Sequence, residues 1–313
     1  MPPNVKGIII KHADPFINES LRRVTKEFKD LCDASPDVVR YLGVNMSNFF
    51  GSERVRIEVW RLKRWHTMLF RKIDDKTYNQ SDFGTIDHNH QGNYWQAAAE
   101  FLHKVTRYRN HTIRSLQIAF EATNEDSFKE EQRLFFHHFL MLLETHQHKF
   151  NVDKLSLENH RSHVHAARLV ALCKPRTLNF IDISGHQLDR IPAQDAPITT
   201  SEQWRLAKEA HTKDIDMTDG FGHFNHFEVC TISMNVLTVD ILKNLIEVFR
   251  NNPAVSTRHI VFQREKTTEE RKAFEDYYRT IDSDNRIRLS NSLVTWTESN
   301  LNLDMRRVAL GQR

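Results

Sequence analysis

From Ile113 onward, short apolar runs of strand length alternate with helical patterns, and this alternation constrains the fold more than any other feature. The runs are Ile113 to Phe120, Val152 to Leu157, Leu178 to Ile183, Phe227 to Met234 and His259 to Phe262. Between them lie the apolar stretch Leu134 to Leu143 and the amphipathic Ser162 to Cys173. Glu202 to Ala210 follows the capping signal Thr200-Ser201. Thr238 to Phe249 places Val239, Leu242, Leu245, Ile246 and Phe249 at helical spacing. A strand followed by a helix and another strand implies parallel pairing, because the helix returns the chain along the sheet. Within the runs, apolar and polar positions alternate: Ser156 sits between Leu155 and Leu157, and Asp182 between Ile181 and Ile183. Alternation predicts a sheet covered on one face only, whereas a doubly wound sheet would show continuous apolar strands. The strand spacing is uneven. The expected fold is therefore α/β, an irregular leucine-rich-repeat-like solenoid of alternating strands and helices with a short N-terminal helical segment.

Flanking segments extend this reading. Leu21, Val24, Phe28 and Leu31 fall on one helical face, with Arg22, Arg23, Lys26 and Lys29 on the other. Val38 to Asn45 and Val55 to Val59 read as strands, Asn79 to Asn93 as a polar loop, and Trp95 to Tyr108 as a helix. After Thr268 a helix to Tyr278 precedes three short runs, Arg286 to Leu289, Leu293 to Thr297 and Leu303 to Val308. These are expected as antiparallel strands that cap the array. The domain expectation is a helical segment over 1–35, strands and a helix over 36–112, and the alternating domain over 113–313.

Composition narrows the function classes. Lys plus Arg is 44 and Asp plus Glu 41, a net charge of +3, without the basic excess of a dedicated nucleic-acid binder. Nine glycines and no GxGxxG or GxxxxGK[ST] disfavour a nucleotide cradle. Cys32, Cys173 and Cys230 have no CxxC spacing, and Cys230 reads as a core residue. No apolar run is long enough for a signal-peptide core or a membrane span. The cytoplasm or nucleus is expected.

The 18 histidines invite a metal reading. They cluster at His88/His90, His137/His138, His146/His148, His160/His163/His165 and His223/His226, yet none forms HExxH or places two His at i, i+4 beside a Glu. His88-Asn89-His90 falls in the stretch read as a loop. Surface and helix-end positions are expected for these residues. A metal-dependent hydrolase would carry stoichiometric zinc or manganese. No catalytic residue, metal or other cofactor is expected.

The segment Val55 to Lys72 interleaves Arg56, Arg61, Lys63, Arg64, Arg71 and Lys72 with Trp60, Trp65 and Phe70. Such a pattern can stack bases and hold phosphates. The charge balance favours a strand pair or an amphipathic segment instead, with aromatics in the core and cations outside.

Several motifs recur in an order that resembles the FTH domain of the large nematode family of F-box-associated proteins. Phe136 to Ser184 contains a Phe-Leu-x-x-Leu-Glu helix at Phe139 to Glu144. A strand and a helix follow, then Cys173-Lys174-Pro175-Arg176-Thr177-Leu178, where the family pattern carries Gly in place of Arg176. Thr200 to Lys208, His223 to Phe227 and Leu237 to Pro253 supply the later elements. The resemblance spans about residues 40–310 and is densest over 134–263. It implies an F-box that docks a Skp-type adaptor, linking a cullin-RING ubiquitin ligase to a protein substrate selected by the second domain. Ser20 to Ser35 resembles the last F-box helix, and Leu21, Val24, Phe28 and Leu31 are the implied adaptor-interface residues. The leading helices of a full F-box have no counterpart in residues 1–19, so the F-box is read as truncated or degenerate. A stand-alone interaction or decoy module is the alternative.

Polar positions on the alternating strands are the expected partner-binding residues: Lys154, Ser156, Asn179 and Asp182. The expected partners are a Skp-type adaptor and a protein substrate, not a membrane or nucleic acid.

Overall fold

The computed structural model describes residues 37–309 apart from 50–51, 62–63, 74–75, 82–83, 91–92, 107–110, 148, 186–189, 217, 219, 263–264, 281–285, 290–291 and 299–301. The helical segment expected over 1–35, with Leu21, Val24, Phe28 and Leu31, lies outside the described residues. The chain is mixed α/β and divides into two compact units between Leu178 and Asn179.

In the first unit, β1 (Asp37–Phe49), β2 (Ser52–Arg61), β3 (Arg64–Ile73), β4 (Lys76–Ser81) and β5 (Gly84–His90) form an antiparallel meander. Then come α1 (Tyr94–Thr106), β6 (His111–Phe120), α2 (Asp126–Thr145), β7 (Asn151–His160) and α3 (His163–Leu172). β6 pairs parallel with β1 on one side and with β7 on the other. One face of this sheet carries Leu42, Val44, Val55, Ile57, Phe70, Leu116, Ile118, Leu155 and Leu157, all buried. α1 packs over β2 and β3, and Ala98, Ala99 and Leu102 supply its apolar stripe. α2 contributes Phe128, Phe135, Phe136 and Phe139 to the same core.

The second unit contains β8 (Phe180–Gly185), the two-residue β9 (Ile191–Pro192), α4 (Glu202–Leu206), β10 (Glu209–Asp216), a 3₁₀ turn (Phe221–Phe224) and β11 (Val229–Met234). It continues through α5 (Val239–Asn251), β12 (Thr257–Phe262), α6 (Thr268–Thr280), β13 (Arg286–Arg288), β14 (Ser292–Glu298) and β15 (Asn302–Ala309). β8, β10, β11 and β12 lie side by side and parallel. β15, β14 and β13 extend the sheet antiparallel beyond β12, as the sequence predicts for the tail. The helix starts follow side-chain chemistry. Ser162, Ser201 and Thr238 each accept a hydrogen bond from the backbone N–H three residues on. Thr267 and Glu270 form a reciprocal capping box at α6, at 3.3 and 2.7 Å.

Several expectations are corrected. Asn79 to Asn93, read as a loop, contributes to two strands, β4 and β5, so His88 and His90 are strand residues. These polar strands are held by backbone pairing, which hydrophobic periodicity does not report. Glu202 to Ala210, read as one helix, ends at Leu206. Glu209 to Asp216 then crosses as β10 between β8 and β11. Ala-Lys-Glu-Ala is a good helix former, but tertiary pairing overrides weak propensity. The β2–β3 pair is present, yet of its three aromatics only Phe70 is in the core; Trp65 is 54% exposed. The described sheets are open at their ends, and parallel order alone does not define a solenoid.

Arg176 occupies a left-handed backbone conformation, φ 68°. A side chain is costly there, which gives a physical reason for the glycine of the family pattern. Thr177 Oγ1 donates to the Lys174 carbonyl at 2.8 Å and closes this turn. Arg176→Gly should raise stability by about 0.5–1 kcal/mol, since relief of strain exceeds the added unfolded-state entropy. Urea unfolding checks this, and an unchanged or lowered midpoint would contradict it.

Candidate functional site

The face of each sheet opposite its buried apolar residues is built from polar and aromatic side chains. In the first unit the register aligns Ser156 of β7 with Gln117 of β6, Gly43 of β1 and Glu58 of β2. Tyr41 lies over Gly43, where an added Cβ would meet the Tyr41 ring within 2.5–2.7 Å. Its hydroxyl donates to Gln117 Oε1 at 2.8 Å, and Gln117 Nε2 donates to Glu158 Oε1 at 2.7 Å. This relay runs across β1, β6 and β7. Burial, with Glu58 and Glu158 nearby, pushes the Tyr41 hydroxyl pKa up, so the phenol stays a donor.

The same face carries stacked tryptophans. Trp60 of β2 and Trp65 of β3 are cross-strand partners with ring centroids 5.4 Å apart and planes 5° apart. Tyr41 meets Trp65 edge-on at 5.6 Å, and the Arg40 guanidinium lies 5.3 Å from the Trp60 ring.

In the second unit one register row crosses five strands: Asp182 of β8, His211 of β10, Thr231 of β11, His259 of β12 and Asp304 of β15. His259 Nδ1 and Asp304 Oδ1 are 2.6 Å apart. Phe180 packs edge-on against His211 at 4.9 Å.

Among the expected residues, Lys154 is exposed and Ser156 half-buried, and both lie on the same face of β7. Asp182 is half-buried on β8 and takes its place in the row above. Asn179 precedes β8; its carbonyl accepts from the Lys208 and Glu209 N–H groups, both at 2.9 Å, and so ties β8 to the start of β10. Sequence reasoning missed Tyr41, Gln117, Glu158, His259 and Asp304. Alternation within their strands placed them on the polar side, but only register brings them together.

The histidines depart from expectation in part. His160 is buried rather than at the surface, and His66 and His103, outside those clusters, are buried as well. Among the described residues no group of three His, Cys, Asp or Glu is placed to hold a metal ion. Cys173 and Cys230 are buried thiols outside any disulfide, and Cys173 Sγ donates to the Leu169 carbonyl at 3.7 Å. Burial pushes both thiol pKa values up, that of Cys230 to about 11. Between α2 and α3, His137 and His165 stand 5.6 Å apart, and Arg168 holds Glu144 through two hydrogen bonds of 2.8 and 2.6 Å.

Burial, reinforced by His163 and His165, lowers the His160 pKa to about 3. His165 and His226 are also lowered, burial first in each. Folding therefore favours the neutral imidazoles. The stability this confers is full above an unfolded pKa near 6.5 and is lost as pH falls toward 3. His160 alone should cost about 2 kcal/mol between pH 7 and pH 5. Urea midpoints across this range test it. His160→Gln should flatten the slope, and a pH-independent midpoint would contradict it.

Residues 133–277, a little under half of the chain, match the FTH domain family. No curated protein and no solved structure matches the chain. The matched stretch runs from α2 to α6 and takes in Lys154, Ser156, Asn179, Asp182, His211 and His259. FTH domains are an F-box-associated family, in keeping with a protein-interaction module. No helix among the described residues is long and apolar enough to cross a membrane.

Proposed function

We propose that this chain is a protein-binding module that makes and breaks no covalent bonds itself and selects a substrate for a Skp-cullin-F-box type ubiquitin ligase. The observation that carries the reading is the one-sided construction of the sheets within the FTH match. Apolar side chains face the helices, and Lys154, Ser156, Asp182, His211 and His259 face the other way. A rigid sheet face presents fixed side chains at little entropic cost on binding. In the second unit the sequential parallel order of β8, β10, β11 and β12 supports an irregular leucine-rich-repeat-like reading of that face. On this proposal the chain works in the cytoplasm or nucleus, with residues 1–35 as an adaptor-docking segment.

Co-purification of the full chain with a Skp-type adaptor, with and without residues 1–35, tests the ligase role. Adaptor retained by the full chain and lost on deletion is the expected result. If the full chain retains no adaptor, the ligase role fails. The second reading, a stand-alone or decoy module, then takes its place.

A further inference from the structure

The tryptophan pair lies outside the matched FTH residues, and neither the fold nor the reading above uses it. Trp65 is 54% exposed, although the strand pair that carries it has a well-buried opposite face of Val55, Ile57, Val59, Met68 and Phe70. Its stacking on Trp60 fixes the ring before any partner arrives. Arg40 approaches Trp60 from the neighbouring strand on the other side of β2. β1 and β6 run parallel with Val39 opposite Ile113, so Arg40 and Arg114 occupy the next positions side by side. Both are exposed, and neither has a carboxylate partner among the described residues. Val38, 43% exposed, borders them. Like charges on neighbouring strands repel, and an incoming anion relieves that repulsion.

Charge also identifies the kind of partner. Glu58 is in register with Gly43, which the Tyr41 side chain covers, and Glu158 accepts from the Gln117 amide that Tyr41 contacts, so two carboxylates, Glu58 paired to Arg56 at 2.5 Å, lie beside the aromatic patch. A continuous phosphate backbone crossing this face would meet them. A peptide can set its own carboxylates against Arg40 and Arg114 and avoid them. Tryptophan, tyrosine and arginine are also the residues that dominate protein–protein hot spots.

We propose that Arg40, Trp60, Trp65 and Arg114 form a docking site for an acidic peptide segment of a protein partner. A proline or aromatic side chain lies on the exposed Trp65 ring, and flanking carboxylates pair with the two arginines. The proposal rests on the protein-binding reading but not on ligase coupling.

The test is fluorescence anisotropy of a fluorescein-labelled Glu-Glu-Phe-Pro-Glu-Glu peptide with the full chain. The comparison probes are the Gln-Gln-Phe-Pro-Gln-Gln peptide and an oligouridylate of similar length. Saturable binding of the acidic peptide is expected, with the glutamine peptide at least about tenfold weaker. Trp65→Ala should weaken binding about tenfold or more, as for a hot-spot residue, and Arg40→Gln/Arg114→Gln by a similar factor. Because these side chains are exposed, the variants should keep the parent melting transition. Three results would overturn the proposal: no binding of the acidic peptide, equal binding of the glutamine peptide, or tighter binding of the oligouridylate. Adaptor co-purification is read separately. Loss of the adaptor with peptide binding retained removes only the ligase role, and the converse removes only this site.

Discussion

Trp204→Ala should destabilise the chain by about 3–5 kcal/mol, the range for truncating a fully buried tryptophan. Trp204 is fully buried on α4, with Phe224 and Phe227 edge-on at 5.1 and 5.0 Å. Its indole N–H donates to the His223 carbonyl at 3.0 Å, and its own carbonyl meets His226 Nε2 at 2.9 Å. One side chain therefore pins a short helix to the 3₁₀ turn that leads into β11. A helix of five residues has little stability of its own, so its position depends on this packing. Total stabilities near 5–15 kcal/mol make such a loss a large fraction of the whole. Trp204→Phe keeps most of the packing but loses the N–H donor and should fall between the two. A melting temperature unchanged in Trp204→Ala would contradict this placement.

The second large effect is expected at Arg258. This arginine is 1% exposed on the buried side of β12. Its guanidinium donates to the carbonyls of Phe227 at 2.7 Å, Thr257 at 2.9 Å and Glu228 at 3.4 Å. No carboxylate pairs with it among the described residues, and burial lowers its pKa. Phe249 of α5 lies 6.0 Å below it, and Arg307 of β15 lies 5.8 Å from the same ring. Arg307 donates to the Phe249, Val255 and Asn252 carbonyls. The two arginines thus partner carbonyls around the ends of α5, β11 and β12, where the chain enters and leaves the helical layer. Removing Arg258 strands acceptors already shielded from water, each costing about 1–3 kcal/mol. Relief of the buried charge offsets part of that cost. Arg258→Ala should lose about 3 kcal/mol, and Arg258→Met, which refills the volume, about 2 kcal/mol. Arg258→Lys should not rescue it, because an ammonium cannot serve a fork of carbonyls. Urea denaturation compares the three. A stabilised Arg258→Met would mean the desolvation cost outweighs the bonds.

The sequence makes the parallel core legible and hides most of the binding face, for different reasons. Leu155/Leu157 and Ile181/Ile183 announce their strands through alternation, and Ser201 announces α4 through its cap. β10 is hidden because Ala210, Thr212 and Asp214 are small or polar at buried positions; Asp214 is retained there by the Gly185 N–H. β4 and β5 are hidden because backbone pairing leaves no apolar signature. Lys154, Ser156 and Asp182 were reachable as polar strand positions. Tyr41–Gln117–Glu158 and His259–Asp304 join residues from 41 to 76 positions apart, and such pairs follow from register alone. Tryptophan is usually buried, so composition places Trp65 in the core; its exposure depends on which side of β3 the pleat turns it toward.

On the proposed reading, partners dock on the polar sheet face of each unit and not on its helices. Photo-crosslinking amino acids placed one at a time in the full chain test it most directly. Lys154 and His211 sample the sheet face, while Lys129 of α2 and Lys243 of α5 sample the helical side. The account predicts partner adducts from Lys154 and His211 and none from Lys129 or Lys243. Adducts confined to the helix positions, or equal from all four, would contradict it.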